Sequence, residues 1–343
     1  MPNSRRNIPE HCWSCEMTWE QTNSEPTRYE NEYYCDNCYE RQREEDGNSN
    51  DYDNQNDYSS IYSYSFKPER QLFHLNNVVS HTHVDSQEPA FGIELETEYI
   101  GNDCLQTAVN YIHANVGPLV YLKEDCSISH GFEIVSHPMS LNYLQFQAER
   151  YADMLTYLRT HEYRAWKTSS CGLHIHVSKK SFIDAKHEMK FIYFMFKNKT
   201  QMIKFAGRNS GFAKYDYDAF VNSEDSSWRG TKPNIMECVK GVKKDGNYAP
   251  GAYERNLAVN RMNPNTHELR IFRPSLRFNT VLAYTEFVHC LFMYSKQLTS
   301  NEILNKNGLT FMPLMDFANS NSELYSNFIQ KVDKRNVLKK GDK

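Results

Sequence analysis

The stretch Phe91-Gly92-Ile93-Glu94-Leu95-Glu96-Thr97-Glu98 decides how the rest of the chain is interpreted. Its apolar and acidic side chains alternate, which is the period of a half-buried β-strand. Glutamate has a low strand propensity, and three carboxylates along one strand face repel one another. We therefore expect a divalent cation on the face that carries Glu94, Glu96 and Glu98. The alternative is an acidic outer strand of a sheet that faces water.

Two stretches after this one predict a pair of strands that carry acids. Residues 119–125 (LVYLKED) end on Asp125, and residues 131–136 (GFEIVS) contain Glu133, eight positions later. A short turn separates the two stretches, so the chain can return in the manner of a hairpin. Such a return can bring the two carboxylates together.

Residues 171–177 (CGLHIHV) place His174 and His176 on one face of a predicted strand whose other face is apolar. A single histidine is more often packed or solvated, whereas a pair on one face indicates contact with a metal or a phosphate. Residues 266–273 (THELRIFR) predict a further strand with an ionic face. In this strand Glu268, Arg270 and Phe272 lie opposite Leu269 and Ile271.

If these strands are neighbours in one antiparallel sheet, their polar faces form a single concave surface. It would carry five or six carboxylates, two imidazoles and one or two guanidinium groups. Oxygen ligands with a minority of imidazole favour Mg²⁺ or Mn²⁺ over zinc. Two such ions beside an arginine suit the phosphates of a nucleoside triphosphate. The sequence has no GxxxxGK[ST] motif, so a P-loop does not hold those phosphates.

The blocks FGIELE, EDCSISHGFEIVSHP, CGLHIHV and THELRIFR, in this order, resemble those of the amidoligase family. That family is a branch of the carboxylate–amine ligases related to glutamine synthetase and glutamate–cysteine ligase. The resemblance covers residues 89–298. It implies an α+β fold with a curved antiparallel sheet flanked by helices. It also implies ATP-dependent formation of an amide or isopeptide bond through an acyl phosphate.

The resemblance also implies roles for individual residues. Glu94 and Glu96 each hold one of two Mg²⁺ or Mn²⁺ ions, and Asp125 and Glu133 complete the shell of Glu96. The family histidine matches His174 or His176, with His174 preferred as the ligand that shares an ion with Glu94. The remaining candidates are Glu268 on the nucleotide-side metal, Arg270 on the γ-phosphate, Arg273 and Arg208 as further phosphate ligands, and Glu98 as the base that deprotonates the amine. Asp125 departs from the more distant synthetases, which have glutamate, so its shorter arm needs a shifted strand or a water.

Four of the nine cysteines form two CxxC pairs near the N-terminus. Cys12 and Cys15 are separated by nineteen residues from Cys35 and Cys38, which is within the range of a Cys₄ zinc site. A closed shell of four thiolates indicates a structural ion, and zinc would supply most of the folding energy of so short a segment. Residues 1–45 are thus predicted to be a small Cys₄ zinc knuckle. It is also a candidate docking site for a protein partner.

The composition divides the rest of the chain. Residues 46–87 include a stretch rich in Asp, Asn, Ser and Tyr, and we predict a flexible linker there. The catalytic domain is predicted at 88–335, with helices at 104–116, 140–162, 186–205 and 280–298 and a mobile lid or surface insertion at 213–252. A basic tail at 336–343 is predicted to fray.

Net charge and apolar segments limit the partners that we expect. The 39 basic and 43 acidic residues give −4, which offers no strong case for nucleic acid or a membrane surface. We expect a cytoplasmic enzyme acting on small-molecule or peptide carboxylates and amines, because no apolar run could span a bilayer and no signal peptide is recognisable. Two alternatives are a non-catalytic ligase-like scaffold and a metal-dependent hydrolase.

Overall fold

A computed structural model of the chain describes most of the predicted catalytic domain and parts of the N-terminal region. The described residues are 18–22, 25–29, 32–35, 38, 60–69, 71–75, 78–80, 88–101, 105–128, 130–168, 171–215, 256–305 and 307–338. The predicted lid at 213–252 therefore lies outside them, apart from its first three residues.

The described residues form a mixed α+β fold around an eight-stranded sheet. In spatial order its strands are β11 (Val259–Asn260), β12 (Thr266–Phe272), β10 (Leu173–Ser178), β6 (Phe91–Tyr99), β8 (Gly131–Ser136), β7 (Val120–Lys123) and β3 (Ile61–Tyr62), and β9 (Tyr163–Arg164) pairs with the far end of β6. The remaining strands form two small sheets, β1 (Thr27–Tyr29) with β2 (Glu32–Tyr34) and β4 (Leu72–Phe73) with β5 (Val78–Ser80).

The strands that carry the ionic residues are neighbours, as predicted. β12, β10, β6 and β8 are consecutive, and all of their pairings are antiparallel. The register places His174 beside Glu94 and places Glu96 beside Glu133. The whole sheet is mixed rather than antiparallel, because β3 joins β7 in the parallel direction.

Helices pack on the apolar face of this sheet. Their bounds are Leu105–Val116, Leu141–Phe146, Ala148–Thr160, Ala185–Lys197, Lys199–Ala206, Phe278–Gln297, Ser300–Asn305, Phe311–Ser320 and Ser326–Lys334, with a short N-terminal helix at Trp19–Thr22. The alternate residues Phe91, Ile93 and Leu95 of β6 belong to this core and are at most 7% exposed. The alternation thus separates an apolar face that binds helices from an ionic face.

Two of the predicted helices are each two helices. The predicted 140–162 helix is interrupted at Gln147, and the predicted 186–205 helix is interrupted at Asn198. The side-chain amide of Asn198 donates to the carbonyl oxygens of Phe194 and Leu309. An asparagine that bonds to nearby backbone competes with the helical pattern, which explains the break there.

A register shift in β12 corrects the predicted face of Phe272. Leu269 pairs with Ile175 and Phe272 pairs with Leu173, so three steps of β12 oppose two steps of β10. The extra residue of such a bulge reverses the alternation beyond it. Phe272 therefore lies in the core, where its ring stacks on Tyr284 at 4.6 Å, rather than on the face of Glu268.

The segment predicted as a flexible linker at 46–87 is in part attached to the sheet. β3 lengthens the sheet beside β7, and Glu124 donates its backbone N–H to the carbonyl of Tyr62 at 2.8 Å. Phe73 is 5% exposed and stacks on Tyr143, with ring centroids 5.2 Å apart. Residues 60–69 and 71–75 therefore belong to the folded domain, whose predicted start at residue 88 is too late. The segment packs against the domain through aromatic rings, so its low content of aliphatic residues did not indicate a linker.

The ends of the chain add two further findings. Cys35 and Cys38 are buried near Tyr34 and Trp19, whereas Cys12 and Cys15 lie outside the described residues, so the zinc knuckle remains a prediction. Val337 is 2% exposed, so the first residues of the predicted 336–343 tail pack against the domain. Among the described residues, the structure contains no helix that is both long and apolar enough to cross a membrane.

The attachment of residues 71–75 predicts a large effect of Phe73→Ala. Removing a buried aromatic ring leaves a cavity, so the free energy of unfolding should fall by about 3 kcal/mol. Leu75→Ala is the matched control because Leu75 is 48% exposed, and it should change the free energy by less than about 0.5 kcal/mol. Denaturant titration of the full chain measures both values. Equal, small effects would show that this segment is a detached linker.

Candidate metal centre

The ionic faces of β6, β8, β10 and β12 form two adjacent groups of side chains that have the geometry of metal sites. The first group is Glu94, His174 and Glu268, and the second is Glu96, Glu133 and His174. Within each group, one donor atom of every residue lies within 4.8 Å of the others. Since His174 is common to both groups, the two candidate sites are immediate neighbours.

The first group is assembled by three adjacent strands. Nδ1 of His174 lies 3.5 Å from Oε2 of Glu94 and 3.2 Å from Oε1 of Glu268. The other oxygen of Glu268 accepts a hydrogen bond of 2.8 Å from the side-chain amide of Asn260 on β11. Asn260 therefore sets the orientation of Glu268, as outer hydrogen bonds commonly do for carboxylate ligands of metals.

The second group depends on the Glu96–Glu133 pairing of β6 and β8. Glu96 is 6% exposed and Glu133 is 5% exposed, so both carboxylates are withdrawn from water. Oε2 of Glu96 accepts the backbone N–H of Gly172, at the entry to β10. A Cβ built on Gly172 would lie 2.7 Å from Nε2 of His174 and 3.3 Å from Oε2 of Glu96. The second imidazole nitrogen of His174 thus lies on the side of Glu96.

Asp125 lies beside the second group but not within it. It follows β7, is half-buried, and its Oδ1 accepts the backbone N–H of Ser127 at 2.7 Å. Its negative charge raises the pKa of both Glu96 and Glu133, which places it in their electrostatic neighbourhood. That Asp125 reaches an ion through a shifted strand or a water stays a prediction.

The two histidines have different surroundings. His174 belongs to both groups, whereas His176 belongs to neither of those found among the described residues. Nδ1 of His176 is 2.9 Å from Oγ1 of Thr266, and its Nε2 is 3.1 Å from Oε1 of Glu94 but outside hydrogen-bonding geometry. The geometry therefore favours His174 as the candidate ligand and gives His176 the position of a residue that holds Glu94.

The cluster contains more buried negative charge than its cations balance. Burial raises the pKa of Glu96 to about 8, and the nearby charge of Asp125 adds to this shift. Burial, followed by the charge of Glu94, raises the pKa of Glu133 well above its ordinary value. In the protein alone Glu96 therefore holds a proton near neutral pH, and the pKa of Glu133 is shifted in the same direction. A divalent cation could replace protons at these carboxylates and bind the same oxygens, so the set of ligands fits Mg²⁺ or Mn²⁺.

The other members of the cluster are held in their charged forms. For Glu268 burial raises the pKa, but the charges of Arg270, His174 and His176 together outweigh burial and lower the pKa to about 2. For His176 burial lowers the pKa, but the contact with Glu94 and the charge of Glu268 together outweigh burial and raise the pKa to about 9. Burial lowers the pKa of His174, which leaves its imidazole neutral, as a metal ligand must be.

Two of the three candidate arginines border the cluster. Nη1 of Arg270 binds Oε1 of Glu268 at 2.5 Å, and its Nε donates to the carbonyl of Phe212 at 3.3 Å. Arg208 donates to the carbonyl of Arg270 at 3.3 Å, and its charge favours ionised Glu96. Arg273 is exposed beyond the end of β12, where its charge acts on Tyr284 and Lys331. The structure thus brings Arg208 and Arg270 to the carboxylates and leaves Arg273 apart from them.

Glu98 lies two residues beyond Glu96 on β6. In the register it is opposite Gly131 of β8 and Arg164 of β9, and it is half-buried. It belongs to neither metal group, so it occupies the border of the cluster rather than its centre. Its role as a base remains a prediction.

Three residues of the site were missed by sequence reasoning. Gly172 leaves the space between His174 and Arg208, Asn260 orients Glu268, and Thr266 contacts His176. The glycine that immediately precedes the histidine strand was a usable signal, because glycine often marks a close approach of backbone to a site. Asn260 and Thr266 carried no such signal, since both contacts depend on strand pairing.

Comparison of the chain with models of protein families and with curated proteins found no match in either case.

The raised pKa of Glu96 predicts a pH-dependent stability in metal-free protein. In the folded state Glu96 holds its proton up to about pH 8, whereas the unfolded chain releases it near its ordinary value. The unfolding free energy should therefore fall by more than about 1 kcal/mol as the pH rises from 6.5 to 8. Loss of the proton from His176, whose folded pKa is about 9, acts in the same direction.

Urea unfolding in EDTA at several pH values measures this effect. Glu96→Gln should reduce the decline, because glutamine does not titrate, whereas Glu124→Gln should preserve it, because Glu124 is exposed. A decline of the same size in all three proteins would contradict the pKa of Glu96.

The space at Gly172 predicts the effect of Gly172→Ala on metal binding. The new Cβ would approach Nε2 of His174 at 2.7 Å and Nη1 of Arg208 at 3.0 Å, so both side chains must move. The affinity for Mn²⁺, measured by calorimetry, should fall at least about tenfold. Gly211→Ala is the control, since its Cβ would meet nothing within 4 Å. Unchanged Mn²⁺ affinity in Gly172→Ala would exclude His174 and Glu96 as ligands.

Proposed function

We propose that this protein is an ATP-dependent carboxylate–amine ligase that forms an amide or isopeptide bond. The observation that carries the proposal is the presence of two adjacent candidate metal sites that share His174. Arg208 and Arg270 border these sites. Two neighbouring cation sites suit the triphosphate of ATP, since paired ions bridge and neutralise phosphate oxygens. The resemblance of four ordered sequence blocks to the amidoligase family supports the same activity and a curved, glutamine synthetase-like sheet.

The described residues divide the work of such a reaction. Glu94, Glu268 and His174 would hold one Mg²⁺, and Glu96 and Glu133, aided by Asp125 through a water, would hold the other. When bound, the ions would neutralise charge on the phosphates of ATP. Asn260 and His176 keep the carboxylates of the first group in position through the contacts described above.

Arg270 is the proposed ligand of the γ-phosphate. Its guanidinium is 7% exposed and is fixed at both ends, by Glu268 and by the carbonyl of Phe212. A planar, pre-oriented guanidinium matches the equatorial oxygens of a phosphoryl group in transfer, and it does so without reorganisation. Arg208 approaches from the side of Glu96 and supplies a second positive charge.

The proposed reaction has two steps. An oxygen of the substrate carboxylate attacks the γ-phosphorus of ATP and the bond to the β-phosphate oxygen breaks, which releases ADP and leaves an acyl phosphate. The amine nitrogen then attacks the acyl carbon, phosphate leaves, and the nitrogen gives up a proton. Glu98 at the border of the cluster is the proposed acceptor of that proton. A carboxylate needs this activation because oxide is too poor a leaving group for an amine to displace.

This arrangement favours a ligase over the alternatives. A hydrolase needs ions and a water but does not need a fixed guanidinium to bind a second phosphate. The ion pair with Glu268 fixes the guanidinium of Arg270 beside the candidate metal centre. A scaffold with no turnover would have no need for three nearly buried carboxylates, which are costly to desolvate. The N-terminal Cys₄ knuckle, proposed to bind structural zinc, would serve docking of a partner rather than chemistry.

Trapping of the acyl phosphate tests the proposal. Full-length protein with ATP and Mg²⁺ is incubated with pools of amino acids and peptides, and hydroxylamine replaces the amine. We expect hydroxamate to form in equal amounts with ADP. Glu94→Ala or Glu96→Ala should abolish both products, and Arg270→Lys should lower the rate by at least about a hundredfold, since a point charge does not replace the planar fork.

Arg277→Lys is the matched control, because Arg277 is exposed and lies outside the cluster. It should retain the wild-type rate. Ester or phosphate cleavage without ATP would identify a hydrolase instead. Wild-type turnover in Glu96→Ala would contradict the assignment of the metal ligands.

A further inference from the structure

A second cluster of charge lies on the helical side of the sheet, where β12 ends. It consists of Arg273, Lys331, Lys334 and Arg335, and we call it the C-terminal basic cluster. Lys331 and Lys334 lie in the last turn of the Ser326–Lys334 helix, Arg335 follows that turn, and Arg273 follows the end of β12. Within the described part of the chain, none of the four forms an ion pair with a carboxylate.

Lys331 is the half-buried member of the cluster and has a fixed aromatic neighbour, whereas Arg273, Lys334 and Arg335 are exposed. Nζ of Lys331 lies 4.4 Å from the ring centroid of Tyr284, which holds the ammonium over an aromatic face. The hydroxyl of that tyrosine donates to the carbonyl of Ala206 at 2.8 Å, and the backbone N–H of Arg273 donates to the same oxygen at 3.1 Å. The aromatic ring and the end of β12 are therefore tied to one point.

The guanidinium of Arg335 lies against Gly207, in the space that a side chain there would fill. The Nη1, Nη2 and Cζ atoms of its guanidinium lie 2.6, 2.7 and 2.9 Å from the position that a Cβ at Gly207 would occupy. Gly207 has φ of 70°, the left-handed conformation that ends the Lys199–Ala206 helix. The absence of a side chain there gives the guanidinium its place in the cluster.

The surroundings do not neutralise these four charges. Burial lowers the pKa of Lys331 to about 8, and the charges of Arg335, Lys334 and Arg273 add to this effect. The Lys199–Ala206 and Ser326–Lys334 helices both end here, and each C-terminus contributes roughly half a negative charge. Together they offset about one of the four positive charges. The positive charge that remains would be neutralised by a bound anion.

We propose that the C-terminal basic cluster is a binding site for a phosphate-bearing anion, separate from the candidate metal centre. Two guanidinium and two ammonium groups match the charge and the several acceptor oxygens of a phosphate better than those of a carboxylate. The ring of Tyr284 positions Lys331 before the anion arrives, which lowers the entropic cost of binding. The site does not require that the protein be a ligase.

Inorganic pyrophosphate is the probe. Calorimetric titration into the full-length protein in EDTA, without nucleotide, excludes binding that depends on divalent ions. Arg273→Ala and Lys331→Met should each weaken binding about tenfold, the usual size of a lost hydrogen bond to a charged group. Methionine keeps an apolar stem over the ring of Tyr284. Lys334→Glu is a second variant that should also weaken pyrophosphate binding, and it should preserve the fold because Lys334 is exposed.

Two controls separate this site from other causes. Arg270→Lys should retain the wild-type affinity, because it alters only the candidate metal centre. Lys180→Ala, which removes an exposed lysine elsewhere, should also have no effect. The proposal is overturned if wild-type protein binds no pyrophosphate, if Arg270→Lys alone loses binding, or if Lys180→Ala weakens it as much as Lys331→Met does.

Discussion

The withdrawal of three carboxylates from water, beside a fourth that is half-buried, on one face of a sheet is the constraint on which this structure depends. Glu96, Glu133 and Glu268 are each at most 6% exposed, and Glu94 contacts both histidines. Buried charges of like sign are tolerated only when they are protonated, paired or bound to a cation. The protein alone uses the first two means, with a proton on Glu96, a raised pKa at Glu133, and cations beside Glu94 and Glu268. A pair of divalent ions would provide the third means, the binding of the carboxylates to a cation.

His174 has a particular place in this balance. Its imidazole is 4% exposed and lies between the two carboxylate groups, with Nδ1 on the side of Glu268 and Nε2 on the side of Glu96. The bulge in β12 opposite this part of β10 allows Glu268 and Arg270 to remain on the ionic face while Phe272 returns to the core. Bulges are common beside functional sites because they redirect single side chains in this way.

The ionic face has different boundaries on its two sides. On the β12 side Arg208 and Arg270 border the carboxylates. Three residues after Arg270 the chain reaches Arg273, a member of the C-terminal basic cluster. On the β7 side Lys123 pairs with Glu133 in the register, and its ammonium lies 4.9 Å from the ring centroid of Tyr64. The segment at 60–69 thus reaches the border of the site. A fragment that begins at residue 88 would lack this aromatic contact.

The sequence by itself determined the elements of the site and their sides. The alternation in β6, β8, β10 and β12 predicted strands at nearly their observed bounds, because a period of two assigns each residue to a face without reference to any other segment. The polar members of these strands do lie together. The alternation also separated the carboxylates from Ile93 and Leu95, which pack against the helices.

Only the tertiary structure decided which atoms meet. The contact of His176 with Thr266, the contact of Asn260 with Glu268 and the separation of Arg273 from the carboxylates all follow from strand register and from one bulge. Periodicity carries no information on register, since a shift of two residues preserves every face. The attachment of residues 60–69 and 71–75 escaped prediction for a related reason. Phe66 and Phe73 contact residues distant in sequence, Tyr121 and Tyr143, and composition alone does not reveal such partners.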